Sequence, residues 1–360
     1  KKPSGVWIMA YTTIDDPSAY FQVKTYTGTG SSNAITFDGN SDMQPDWVWI
    51  KQDNGTFNHY AFDSVRGVNK PIHPNLTNAE SSQSDTLMSF NSDGFTLGDD
   101  STNGEINANT QTFVSWNWKA GTTGSGTTGG SGTGKAYSYS VSTDSGFSIV
   151  KYIGNGTNGH TIPHHLGAVP KILWEKVTAG NTNNWGFYNH AVGNDKAMYM
   201  DGTSAETDDS FLNDTTPTST VVTLGSNMTN QDGKTFIMYL FAEKKGYSKF
   251  GEFTGNNQND GTFVYLGFQP EFFFVKRTDS SDDWKMVTRK MQSTNPVNKS
   301  LKANTNAAQA TESDHSMDLL SNGFKFRENN AAFNASGTYA YMAWARNPLV
   351  TSTGIPGLAK

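Results

Sequence analysis

Apolar side chains alternate with other residues over three short stretches of the chain. Val114, Trp116 and Trp118 recur two apart, as do Ile237, Tyr239 and Phe241, and then Ala340, Met342 and Trp344. A period of two places each series on one face of a strand that looks into a core. Each series follows a threonine, at Thr112, Thr235 or Thr338. Few stretches sustain a helical period, so the pattern predicts an all-β protein.

The three series close three related units. Each unit opens on a glycine-bearing block: Tyr26-Thr27-Gly28-Thr29-Gly30, Tyr152-Ile153-Gly154-Asn155-Gly156, and the diverged Phe253-Thr254-Gly255-Asn256-Asn257. A second block runs from proline to lysine: Pro45 to Lys51, Pro170 to Lys176, and Pro270 to Lys276. Units one and three also share Asn69-Lys70 with Asp93-Gly94-Phe95, matched by Asn298-Lys299 with Asn322-Gly323-Phe324. The Gly-bearing steps in those stretches fit tight turns. Three blocks in one order, three times over, define a tandem repeat. Each unit has the usual size of a small β-sandwich, roughly 100 residues.

The predicted organisation is an N-terminal arm over 1–19, sandwich modules over 20–120, 136–246 and 247–348, and a tail over 349–360. Residues 121–135 are rich in Gly, Thr and Ser, the composition of a flexible linker. Module one is therefore expected to hang on a hinge. Modules two and three, which meet at Lys244-Lys245-Gly246, are expected to pack rigidly.

Composition narrows the function. The chain has 22 Phe, 14 Tyr and 9 Trp, enough for several small cores, yet only 17% of its residues are charged. Its net charge of −6 offers no electrostatic footprint for nucleic acid. No apolar run approaches the ~20 residues of a membrane-spanning helix. The apolar stretch Val6 to Ala10 is too short for the core of a secretory signal. With no cysteine, disulfides and thiolate metal sites are excluded.

Several motifs suggest chemistry and then fail on context. Gly129 to Lys135 approaches a phosphate-binding loop, but Ala136 follows the lysine and no helix opens there. Gly154, Gly156 and Gly159 have dinucleotide-binding spacing, but His160-Thr161-Ile162-Pro163 cannot start a helix, so a strand-end turn is expected. His160, His164 and His165 cluster in unit two, with His190 beyond. They could bind a transition metal or form a surface loop group. Asp38, Asn40 and Asp42 alternate as in a calcium loop, although Met43 stands where such a loop needs Gly. Any Ca²⁺ there would borrow oxygens from a neighbouring loop, and an Asx turn is the alternative. No nucleophile motif and no zinc-binding helix is present. Paired carboxylates in a groove, as in a polysaccharide depolymerase, depend on a separation that sequence does not supply.

The exposed-aromatic candidates are Trp185 and Trp284, which follow Asn183-Asn184 and Asp282-Asp283. With His164 and His165 they could contact a glycan or a partner, or else anchor a core. Trp47 and Trp49 share one strand face and Val48 and Ile50 the other, so that strand is expected to be buried on both sides or else half exposed to a partner.

The segments Tyr26 to Gly30, Asp38 to Lys51, Phe62-Asp63-Ser64-Val65-Arg66-Gly67 and Ser115 to Gly121 resemble repeat modules in virion proteins of marine tailed bacteriophages. The resemblance is close in unit one and distant in unit three, where Asn257 replaces the second glycine. It implies concanavalin-like lectin sandwiches in a tail-fibre-like virion protein, and it carries over no catalytic residue. The expected protein is thus structural or adhesive and not an enzyme. It would be exposed on a phage particle, assembled with other virion proteins and with copies of itself, and in contact with host surface glycans. Capsid decoration or fibre anchoring without a receptor role is the alternative, and a depolymerase is a third.

Overall fold

A computed structural model describes residues 10–226, 228–312 and 315–357. The chain's first nine and last three residues, including the apolar start of the arm, lie outside the described residues. The fold is all-β, and its only helical element among the described residues is a single 3-10 turn, Pro17–Ala19.

Each unit builds the same four-stranded antiparallel core sheet. In unit one the opening strand Phe21–Thr27 pairs with the closing strand Thr112–Trp118, which pairs with the second strand Trp47–Gln52, and that with the third, Tyr60–Asp63. Unit two repeats this order with Phe147–Ile153, Thr235–Phe241, Ile172–Ala179 and Gly186–Asn189. Unit three does so with Ser248–Gly255, Gly337–Pro348, Phe268–Arg277 and Lys285–Thr288. A small three-stranded sheet covers one face of each and encloses a private core. Ile50, Phe62, Phe95 and Phe113 lie in the first such core, Val150, Leu173 and Leu240 in the second, and Phe273, Phe324 and Tyr341 in the third.

The other faces of the three core sheets meet one another. Alternation sends Trp47, Trp49, Trp116 and Trp118 to this side of unit one, where all four are fully buried. Residues at equivalent repeat positions stack into layers. Trp49, Trp174 and Phe274 touch pairwise, with ring centroids 6.0, 5.7 and 6.2 Å apart. Trp118, Phe241 and Trp344 do the same at 6.1, 5.3 and 5.4 Å. Aromatic pairs at these separations add to the gain from buried apolar area. The units are therefore three sectors of one closed ring around a shared aromatic core. The two-faced burial expected for Trp47 to Ile50 is explained: one face belongs to the unit and the other to the ring.

The Gly/Thr/Ser run is not a hinge. Thr122–Thr127 forms a strand against Ala136–Ser142, extending the unit-two sheet to eight strands, and Gly129–Gly130 pairs with the His160 strand. Composition misled here because glycine has a second use in a strand, leaving room for a large ring across from it. Gly124 lies opposite Tyr139 and Gly126 opposite Tyr137. A Cβ on either would come within 3 Å of the facing tyrosine. The joint between units one and two is thus built into the sheets of the ring.

The opening glycines have separate causes. A Cβ on Gly28, Gly154 or Gly255 would lie 2.2, 2.4 or 2.1 Å from a backbone carbonyl, so only Gly fits. Gly30, Gly156 and Asn257 share left-handed φ values of 62°, 70° and 54°. Asn is the non-glycine residue that best tolerates that region. Unit three thus keeps the turn while losing the glycine.

Candidate functional site

The recurring positions build the ring. His59, Trp185 and Trp284 occupy one repeat position, just before the third strand, and each bonds a carbonyl of the neighbouring unit. Trp185 Nε1 donates to the His73 carbonyl at 2.8 Å, and Trp284 Nε1 to the Tyr199 carbonyl at 3.0 Å. His59 Nε2 lies 3.0 Å from the Lys302 carbonyl, while its Nδ1 accepts from Trp49 Nε1 at 2.9 Å. Burial, reinforced by the nearby Lys51 charge, pushes His59 down to about 3, so the ring is neutral and Nε2 carries the proton. A second cycle runs through the backbone: Glu80 N to Thr178 O, Glu206 N to Thr278 O, and Gln309 N to Asp53 O, at 3.1, 2.9 and 2.6 Å. Each interface thus holds one bond of each cycle.

This geometry corrects two proposed contact residues. Trp185 and Trp284 are 0% and 1% exposed and are committed to ring closure, so neither can stack on a glycan. A tryptophan after polar residues looked like a binding ring, but the polar pair belongs to the loop and the ring to the core. His164 is also buried, with Nδ1 accepting from Leu166 N and Nε2 bonded to the Thr218 carbonyl, and burial pushes it down to about 4. His165 alone of the four is exposed. It stacks on Tyr139 with centroids 3.7 Å apart. His160 is held between Asn230 Oδ1 and Thr128 Oγ1. Among the described residues no three His, Asp or Glu side chains converge as metal ligands.

Sequence reasoning missed the buried asparagines that hold the opening turns. Asn230 Oδ1 accepts from Asn155 N, and its amide donates to the Thr157 and Gly225 carbonyls. Asn107 and Asn334 do the same work in their own units. It also missed the meaning of the repeated lysine. Lys51, Lys176 and Lys276 are buried, with Nζ against carbonyls of the loop that follows, such as Gly55, Asn183 and Ser280. Burial lowers all three to about 8.

The threefold pattern also breaks at a cluster of polar side chains. The residue after the block proline, the residue five beyond the His59 position, and the residue two beyond the closing strand's last aromatic come together in each unit. In unit one these are Asp46, Ser64 and Ala120. The Asp46 carboxylate accepts from Ser64 Oγ at 2.6 Å, Ala120 N at 2.8 Å and Ser140 Oγ at 3.4 Å. In unit two they are Lys171, His190 and Glu243, where Lys171 Nζ bonds Glu243 at 2.6 Å and Glu243 accepts from Phe250 N at 3.0 Å. Both sets are internally satisfied. In unit three they are Glu271, Arg289 and Arg346. There Glu271 Oε1 and Arg289 Nε are buried with no partner, although the Arg289 terminal nitrogens bond the Leu319 and Ser293 carbonyls.

These three side chains line a crevice of about 360 Å³ between unit three and unit one. Its opposite wall is Phe21, Gln22 and Val23 with the loop at Asp38, Gly39 and Asn40. Gln22 fixes that loop by accepting from Gly39 N at 2.8 Å, and Ser18 Oγ accepts from Asn40 N at 2.9 Å. Asp38 bonds Lys290 Nζ at 2.8 Å and lies 3.5 Å from Lys24 Nζ. Burial works against its charge, but the two ammonium groups outweigh that and hold the carboxyl below its ordinary range. Asp38 therefore clamps unit one to unit three and is engaged by cations of the chain itself. Asp42 is exposed and lies outside the crevice lining. The alternating Asp38, Asn40 and Asp42 thus do not form a calcium cage. Burial lifts Glu271 to about 7, against the pull of Lys290, Arg346 and Arg289. The sequence signal for this site was the change of sign at one aligned position: Asp46, Lys171, Glu271.

The fold and the site define a class: a single-chain ring of three β-sandwich sectors with a polar crevice at the interface where the ring closes. The chain belongs to the family described as a domain of unknown function, DUF7483, whose model matches residues 16–348. That one match spans all three units, as expected if the ring and not the single sandwich is the unit of the family. No curated protein and no solved structure matches the chain.

Proposed function

We propose that the chain is a structural, adhesive component of a bacteriophage particle, displayed on the virion surface and tail-fibre-like in role. The observation that carries this reading is the use of the recurring residues. Trp185, Trp284, the asparagines and the repeated lysines all maintain a rigid closed body. One position that differs between units, that of Asp46, Lys171 and Glu271, opens in unit three into the crevice, and that is where a ligand would be recognised. The resemblance of the Asp38 to Lys51 and Phe62 to Gly67 segments to phage virion modules supplies the location. Host surface glycans and other virion proteins are the partners in this reading. The ring also supplies, within one chain, the threefold arrangement that three copies would otherwise make.

Antibody labelling of intact phage particles that encode the chain tests it. Labelled virions are expected, and an unlabelled particle would overturn the reading. A second reading, decoration or fibre anchoring without receptor contact, is favoured by the threefold arrangement, which matches a threefold site on a symmetric assembly. In that case deletion would leave adsorption intact and lower particle stability.

A further inference from the structure

The crevice between unit three and unit one has the features of a built site. Two side chains that line it, Glu271 and Arg289, are 8% and 7% exposed, and each keeps an unpartnered polar atom. An unsatisfied buried donor or acceptor costs about 1–3 kcal/mol, so its retention calls for a reason. The equivalent residues of units one and two show that this position readily closes on itself, through Asp46 with Ser64 or Lys171 with Glu243. Unit three alone leaves it open. The volume lies at the lower end of the range for small-ligand sites, about 300–1,000 Å³.

The lining selects the chemistry. Three cations, Arg289, Lys290 and Arg346, face Asp16, Asp38 and Glu271. Lys290 is already paired with Asp38, and Asp16 is capped by Ser18 and Ser41. That leaves Arg289 and Arg346 as the positive pair, with Glu271 beside them. Burial and then the like charge of Arg346 lower Arg289, which an anion between them would relieve. Around this pair stand groups suited to hydroxyls, Asn40, Asn347 and Ser293, over the apolar Phe21, Val23 and Ala345. A guanidinium matches a carboxylate's geometry, and amide and hydroxyl groups match a ring of hydroxyls.

We infer that this crevice binds an acidic sugar, a pyranose bearing a carboxylate, with Arg289 and Arg346 on the carboxylate and Glu271 on a neighbouring hydroxyl or carboxylate oxygen. The inference deepens the adhesive reading by naming its ligand class. It also gives Glu271 a use. Near neutrality the group exchanges its proton, and only the protonated form both donates to the ligand and spares it a negative neighbour. Binding then strengthens as pH falls through 7; the other charged groups at the crevice and its Asp38 clamp are Asp16, Asp38, Lys24, Lys290, Arg289 and Arg346.

Calorimetric titration of the full chain with glucuronate, with glucose and inorganic phosphate as comparators, tests the site. Saturable glucuronate binding is expected, tighter at pH 6 than at pH 8, with glucose silent and phosphate a weak competitor. Arg346→Gln, at an exposed position that leaves the core intact, is expected to weaken it tenfold or more. Glu271→Gln, a permanent donor, should bind at both pH values with the pH dependence gone. Absence of saturable binding, glucose binding equally, phosphate binding as well as the sugar acid, or indifference to Arg346→Gln would each overturn the assignment. Labelled virions with no sugar binding would sink the site and spare the location. Sugar binding with unlabelled virions would do the reverse.

Discussion

The indole N–H of Trp284 donates to the carbonyl of Tyr199, across the boundary between the third and second units, at 3.0 Å. The repeat places Trp185 opposite His73 and His59 opposite Lys302 in the same relation. Three equivalent bonds that return to their starting unit turn a tandem array into a closed body. Closure changes what each substitution should do, because a lesion in one unit is felt at two interfaces.

Trp284→Phe keeps an aromatic ring of smaller volume, removes the donor and leaves the Tyr199 carbonyl unpaired. A loss of about 1–3 kcal/mol is expected in guanidinium unfolding of the whole chain. An unchanged midpoint would mean that the bond does not hold the interface.

The opening turns should respond in opposite senses at their two sensitive positions. Gly154→Ala sets a Cβ 2.4 Å from the Gln231 carbonyl and is expected to destabilise by about 2–4 kcal/mol. Asn257→Gly, at φ 54°, relieves a left-handed residue and should be neutral or stabilising by up to ~1 kcal/mol. Thermal melts of the two variants would show the contrast, and destabilisation by Asn257→Gly would contradict it.

Glu175 occupies a position that is Ile50 in unit one and Val275 in unit three, in the private core of unit two. It is 1% exposed, and its Oε1 has no partner. Burial drives its carboxyl well above the ordinary range, only partly opposed by Lys176. Below that range both folded and unfolded chains hold the proton. Above it the unfolded chain releases the proton and the folded chain does not, so stability falls as pH rises, by at most about 1.4 kcal/mol per unit. Glu175→Val should therefore stabilise the protein at pH 7 more than at pH 4. A stability gap independent of pH would refute the buried neutral acid.

Lys176 gives the opposite slope. Burial lowers it from 10.5 to about 8, so between those values the unfolded chain holds a proton that the folded chain has released. Stability conferred by this residue should rise with pH across that window, by at most about 1.4 kcal/mol per unit. The difference between the parent chain and Lys176→Met, followed by urea unfolding from pH 7.5 to 9.5, should grow steadily. A flat difference would mean that the amine titrates normally.

What the sequence revealed and concealed follows from the range of each interaction. Turn glycines such as Gly28 and strand aromatics such as Trp116 announce themselves, because their constraints are set by near neighbours in a repeating pattern. Apolar residues on both faces of Trp47 to Ile50 announced burial, but nothing local says whether the second cover is another sheet of the same unit or another unit. The Gly124 and Gly126 strand read as linker because its packing partner is Tyr137 and Tyr139 across a turn. The candidate crevice was the least legible. Lys290 meets Asp38 from 252 residues away, and Glu271, Arg289 and Arg346 converge only through the fold. The choice between glycan contact and core anchoring at Trp185 and Trp284 stayed open in the sequence for the same reason, since their acceptors belong to other units.

Differential scanning calorimetry of the full chain tests the closed ring most directly. The shared layers of Trp49 with Trp174 and Phe274, and of Trp118 with Phe241 and Trp344, cannot be lost one unit at a time. A single transition whose van't Hoff and calorimetric enthalpies agree is the predicted result. Two or three separable transitions, each with the enthalpy of one sandwich, would contradict it.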